Sequence, residues 1–242
     1  MTLRTLIATL ILGSCGLYLG PWSYSRYKIR KAERFIEDVE HLEIGVTSEE
    51  ELRRFSIDHG GNIYPTAHRE PPAVGEVDAS VWIWVLSPSL RFRDKVYSFP
   101  GFGQRQWATQ AILDLRDGHL VRSVFGIAVR RSDGVELEAF VTLGTKPFIR
   151  YGYPYHVYDA HVTGPPTEFL GVEIGPDASK DEKQRGLGFN FGCLNRLNEC
   201  RHVCEVMPSA WKDLPLDRRI HYPDRSEIAV DTECRQALNP KP

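Results

Sequence analysis

Three runs of apolar and polar residues separated by tight turns constrain this chain most. They are residues 106–116, 119–131 and 135–143. Asp117-Gly118 sits between the first two, and this dipeptide is the residue pair that a two-residue hairpin turn asks for, because both positions need a positive φ. Ser132-Asp133-Gly134 punctuates the second junction. In the first run, Trp107, Ala111 or Ile112, and Leu113 or Leu115 are the candidate inward residues. The second is rich in Val, Phe and Ile, as strands are. Strands adjacent in sequence and joined this tightly pair antiparallel, so the centre of the chain is predicted to be a three-stranded meander.

The flanks extend this reading. Val81-Trp82-Ile83-Trp84-Val85-Leu86 is an apolar run of strand length, and a less regular stretch follows over residues 91–99. Residues 155–162 and 168–174 read as further strands on either side of Gly164-Pro165-Pro166. Before the sheet, residues 25–41 place Ile29, Phe35, Ile36 and Val39 near helical spacing with no Gly or Pro. Gly45 marks a turn. Thr47 or Ser48 then opens a second helix: a hydroxyl followed by Glu49, Glu50 and Glu51 caps free N–H groups and suits the helix dipole, and Gly60-Gly61 ends it. Residues 62–79, with Pro65, Pro71 and Pro72, and residues 175–183 read as loops. The expected architecture is α+β: two helices, then a mainly antiparallel sheet with helices on one face, then a short helical C-terminal part.

The N-terminus has a separate character. Thr5 to Ser25 contains no charged residue, and as a helix it would span about 30 Å, one hydrocarbon core. Pro21 marks its end, and Trp22, Tyr24 and Tyr27 stand where an aromatic belt forms. The expected division is therefore a membrane anchor or signal segment over 1–25 and a single domain over 26–242. Leu12-Gly13-Ser14-Cys15 also has the form of a lipobox, which makes Cys15 a candidate lipidation site. Arg26, Lys28, Arg30, Lys31 and Arg34 follow the segment, against Arg4 before it. Taken alone, that asymmetry places the domain in the cytoplasm, although long domains translocate largely regardless of charge.

The cysteines pull the other way. Four of the five, Cys193, Cys200, Cys204 and Cys234, lie in the C-terminal part, and an even set in an exported domain reads as two disulfides. Were residues 199–207 helical, Cys200 and Cys204 would sit one turn apart, too far to bridge. The expected pairing is Cys193–Cys200 with Cys204–Cys234, the second stapling the polar tail to an extracytoplasmic domain. A metal site joining these thiols to His202 or His221 is the competing reading, but only Cys200-x3-Cys204 has the close spacing zinc pairs usually show.

The front of the chain resembles the small outer-membrane assembly lipoproteins of the SmpA/BamE type, through Leu42-Glu43-Ile44-Gly45-Val46-Thr47-Ser48-Glu49-Glu50-Glu51-Leu52. It also resembles bacterial membrane-anchored envelope proteins with a similar anchor and a C-terminal Cys cluster near Pro208-Ser209-Ala210-Trp211. The resemblance covers about a quarter of the chain. It implies a compartment, and no functional residue carries over.

Charge balance argues against nucleic acid as a partner: 30 Lys and Arg against 32 Asp and Glu give a net charge of -2. No zinc-protease His pair, nucleophile elbow or phosphate loop is present in the sequence, and no cofactor is expected. Arg150, Tyr151, Tyr153 and Tyr155 form an aromatic segment suited to a binding surface, although Tyr residues on a strand equally serve packing. The sequence thus points to a membrane-anchored envelope protein, a non-enzymatic binding or structural module. Its expected partners are membrane lipid through residues 5–25 and another envelope protein or a wall component. The alternatives are a membrane-associated hydrolase or transferase and a metal-binding or redox module on the Cys cluster.

Overall fold

The computed structural model describes residues 23, 26–65, 78–86, 107–131, 134–144, 155–158, 167–194, 200–214, 234–236 and 238. The anchor segment 5–25, apart from Ser23, lies outside them, as does Cys15. Among the described residues no helix is long and apolar enough to cross a membrane.

Helix α1, described over residues 26–40, buries Phe35, Ile36 and Val39 of the expected stripe and adds Ala32, while Ile29 is partly buried. Helix α2 is Glu49–His59. Ser48 caps it in a full capping box with Glu51, and Gly60 ends it in the left-handed region at φ 75°. The link between the helices grips the sheet. Gly45, with φ 81°, donates its N–H to the Leu120 carbonyl at 2.7 Å, Leu120 donates to Thr47 at 2.9 Å, and Glu49 donates to Gly118 at 2.8 Å. The Leu42–Leu52 motif therefore acts as a clamp around the Asp117-Gly118 turn, where φ is 50° and 72°.

The sheet has seven strands: β1 Asn62–Pro65, β2 Ala79–Leu86, β3 Trp107–Arg116, β4 His119–Arg130, β5 Glu136–Gly144, β6 Tyr155–Tyr158 and β7 Thr167–Ile174. Their spatial order is β1-β2-β3-β4-β5-β7-β6. The β3–β4–β5 meander forms as its turns demand, with a register shift at Asp114/Leu115. Every pairing is antiparallel except β5 with β7, which run parallel.

That parallel pair departs from the purely sequential pairing expected of neighbouring strands. The physical reason is burial. From Leu170 to Ile174 every residue of β7 is buried, so it belongs inside the sheet, whereas the four-residue β6 takes the edge. Strand β1 is a second correction: residues 62–65 are not loop but an edge strand, where Pro65 is tolerated because edge positions need no full ladder. Residues 175–183 are not all loop either. Lys180–Gly186 forms helix α3, capped by a Ser179–Glu182 box. A 3-10 turn, Phe191–Leu194, and helices α4 Val203–Val206 and α5 Pro208–Asp213 follow. Helix α4 is shorter than the 199–207 span considered from the sequence, and Cys200 lies before it.

One face of the sheet makes the core. Register aligns Ile83, Ala111, Phe125, Val141, Val172 and Val157 in a row across six strands, all buried. The buried residues of α1, α2 and the C-terminal helices join this row in a single cluster.

Candidate binding face

The opposite face follows from the same alternation, because successive strand side chains point to opposite sides. It carries Trp82 and Trp84 from β2, Gln110 and Ile112 from β3, Val124 and Ala128 from β4, Phe140 from β5 and Phe169 from β7. None of these side chains joins the core cluster. Trp84 is 47 % exposed, whereas Phe140 is 8 % exposed. The Trp82 and Trp84 rings lie 6.5 Å apart and near parallel at 26°, and Phe140 stacks on Phe169 at 5.9 Å and 27°. Gly126 makes the Phe140 position workable. A Cβ there would come 2.1 Å from the Ala139 carbonyl oxygen and 2.6 Å from the Phe140 ring. Burial pushes the Glu138 carboxyl on this face above its ordinary range, and neighbouring Glu136 adds to the push.

The buried charges are committed to structure, including Asp114, which lies on this same face. Asp114, 1 % exposed, accepts from Ser80 Oγ at 2.6 Å and from Arg122 Nε at 2.6 Å. Glu168 and His202 meet where the C-terminal helices dock on β7. Glu168 Oε2 accepts the Val203 N–H at 2.8 Å, capping α4 from 35 positions away, since the N-cap residue His202 supplies no side-chain cap. Its Oε1 lies 3.2 Å from His202 Nδ1 and 3.5 Å from Arg131. Three titratable groups converge here, as a hydrolase site would require. Each, however, is occupied in docking: Arg131 also donates to the Arg201 carbonyl at 2.5 Å. The nearby cysteines are disulfides rather than nucleophiles.

Those disulfides join Cys193 to Cys200 and Cys204 to Cys234, with Cα–Cα distances of 5.0 and 6.0 Å. All four cysteines are buried in the core cluster. Among the described residues, no group of three or more His, Cys, Asp or Glu is placed to hold a metal ion. Near α2, His59 Nε2 contacts Asp38 at 3.2 Å while its ring packs against Phe35 and Phe55, and its buried Nδ1 has no hydrogen-bond partner among the described residues.

The Tyr segment expected to form a binding surface is placed only in part. Arg150, Tyr151 and Tyr153 lie outside the described residues, and Tyr155 enters β6 opposite Ile174. The second face of the sheet was not singled out from the sequence. Its signal was available in β2, where Trp82 and Trp84 alternate with Val81, Ile83 and Val85: if the aliphatic residues face the core, both Trp side chains must face away. Comparison of the chain with known protein families, curated proteins and solved structures finds no match, so its own geometry carries the functional reading.

Proposed function

We propose that this chain is a membrane-held envelope protein whose extracytoplasmic domain is a non-enzymatic binding module. It takes another envelope protein or a wall component on the second face of its sheet. One observation carries the reading: the sheet commits its first face wholly to the core and keeps an aromatic second face apart from it, with Trp84 half open to solvent. Aromatic residues gathered on an accessible surface mark interaction sites, because they combine large apolar area with few rotatable bonds. Two buried disulfides support an oxidising compartment. The uncharged Thr5–Ser25 segment supports attachment to a membrane.

The test is a photo-crosslinking side chain placed at position 84, or at the exposed Ile57 of α2 as control, in native membranes. A discrete adduct at 84 that is absent at 57 is expected. Equal labelling at both, or none at 84, overturns the binding face. Non-reducing mass spectrometry of the same membrane fraction checks the compartment: two intact disulfides are expected, and four free thiols would place the domain in the cytoplasm.

A further inference from the structure

The solvent-facing side of α1 is mainly basic at its start, with Glu33 among the basic residues. Arg26, Arg30 and Arg34 follow at four-residue spacing, all exposed, with Tyr27 63 % exposed beside them. The same stripe then turns acidic at Glu37 and Asp38, also exposed. The other side of the helix is locked into the core through Ala32, Phe35, Ile36 and Val39, so the domain fixes where the stripe points.

The acidic end of this order opposes the helix dipole, which favours basic residues in the last turn. Lys183 and Arg185 close α3, whereas Glu37, Asp38 and Glu40 fill the last turn of α1. The basic residues also differ in their pairing. Arg53 and Arg54 of α2 are each ion-paired one turn back, to Glu49 and Glu50. Among the described residues no ion pair engages Arg30, Lys31 or Arg34. Arg30, Lys31 and Arg34 thus keep the charge that Arg53 and Arg54 commit to carboxylates of their own helix.

We propose that the basic half of α1 is a binding surface for anionic phospholipid headgroups, which seats the domain on the bilayer with the acidic half turned away. This rests on the membrane-held reading, since the sequence runs directly from the uncharged Thr5–Ser25 segment into α1. The dimensions agree. At 1.5 Å per residue, Arg34 stands about 12 Å along the helix from Arg26, and Asp38 about 18 Å. The surface potential of an anionic leaflet decays over roughly 8–10 Å at ordinary ionic strength. Attraction is therefore strongest at Arg26 and Arg30, weaker at Arg34 and weakest at the acidic end. The basic flank then serves headgroup contact, and it need not mark a cytoplasmic domain.

The test uses the full chain in nanodiscs of phosphatidylcholine alone or mixed with phosphatidylglycerol. Native mass spectrometry counts the lipid retained by the released protein. Wild type is expected to enrich phosphatidylglycerol about five-fold or more over its bulk fraction, and to lose that enrichment in high salt. Arg30→Gln with Arg34→Gln should abolish most of it at an unchanged melting midpoint, whereas Arg53→Gln with Arg54→Gln should not. Bulk-ratio lipid on wild type, or enrichment that persists in the Arg30/Arg34 variant, overturns the proposal while leaving attachment intact. A chain that does not enter neutral discs at all refutes the membrane reading and this proposal with it.

Discussion

The two faces of one sheet are built from the same strands yet have different compositions and fates. On the first face, Val81, Ile83, Leu113, Phe125, Ile127, Leu137 and Leu170 are fully buried beneath helices. On the second, Trp82, Trp84, Ile112, Val124 and Phe169 are equally apolar, but they remain outside the core cluster. Hydrophobicity alone therefore does not decide burial in this chain. The helices and the disulfide-linked C-terminal part cover the first face, whereas burial on the second is uneven, with Phe140 8 % exposed and Trp84 47 % exposed.

The contrast predicts unequal costs. Phe125→Ala, at the centre of the six-strand row, should destabilise the domain by about 3–5 kcal/mol through lost burial and an unfilled cavity. Trp84→Ala on the second face should cost under about 1 kcal/mol. Urea unfolding of both variants measures the difference, and comparable losses would erase the distinction between the faces. The covering layer can be tested next. Cys204→Ser with Cys234→Ser opens a loop with a sequence separation of 30 residues. That should cost on the order of 3–4 kcal/mol, read as a lower thermal midpoint under non-reducing conditions.

Gly126→Ala probes the seam between the faces. The added methyl meets the Ala139 carbonyl and the Phe140 ring, so β4 and β5 must separate, at about 1–3 kcal/mol. Hydrogen exchange should show the loss concentrated in the β4–β5 ladder. The smallest effect concerns Glu40 of α1, whose carboxyl is raised from 4.5 to about 7, chiefly by burial, with Glu37 adding and His41 opposing. Between these values the folded chain holds a proton that the unfolded chain has released. Stability contributed by this group is thus complete below about pH 4.5 and is lost as pH rises towards 7. Glu40→Gln should remove that slope and leave the variant more stable at pH 8 by on the order of 1 kcal/mol, after allowance for solvent screening. Denaturation midpoints at pH 4.5 and 8 check the sign.

Local chemistry made much of the fold legible in the sequence. A hydroxyl at Thr47 or Ser48 ahead of three Glu, Gly60, and Asp117-Gly118 each specify a backbone conformation from neighbouring residues; the helix start, its end and the turn form there, and the structure selects Ser48 with Glu51. Helix α3 escaped notice although Ser179 and Glu182 repeat the same capping signature, because the residues that follow are almost all polar and show no apolar stripe. Strand β1 was hidden by Pro65, which an edge strand accepts. The β5–β7 pairing and the Glu168–Val203 cap were out of reach for a different reason: both depend on residues brought together from distant positions. The second face was partly legible in the alternation of β2, but the alternation did not show which side the helices would cover.

The central claim is that the second face carries a partner in the membrane that the purified chain lacks. Hydroxyl-radical footprinting of Trp84, in native membranes and in purified protein, tests this most directly, with Ile57 as the exposed reference at 78 %. The account predicts that Trp84 is oxidised readily in the purified chain and protected severalfold in membranes, while Ile57 is labelled equally in both. Equal oxidation of Trp84 in the two preparations would contradict it.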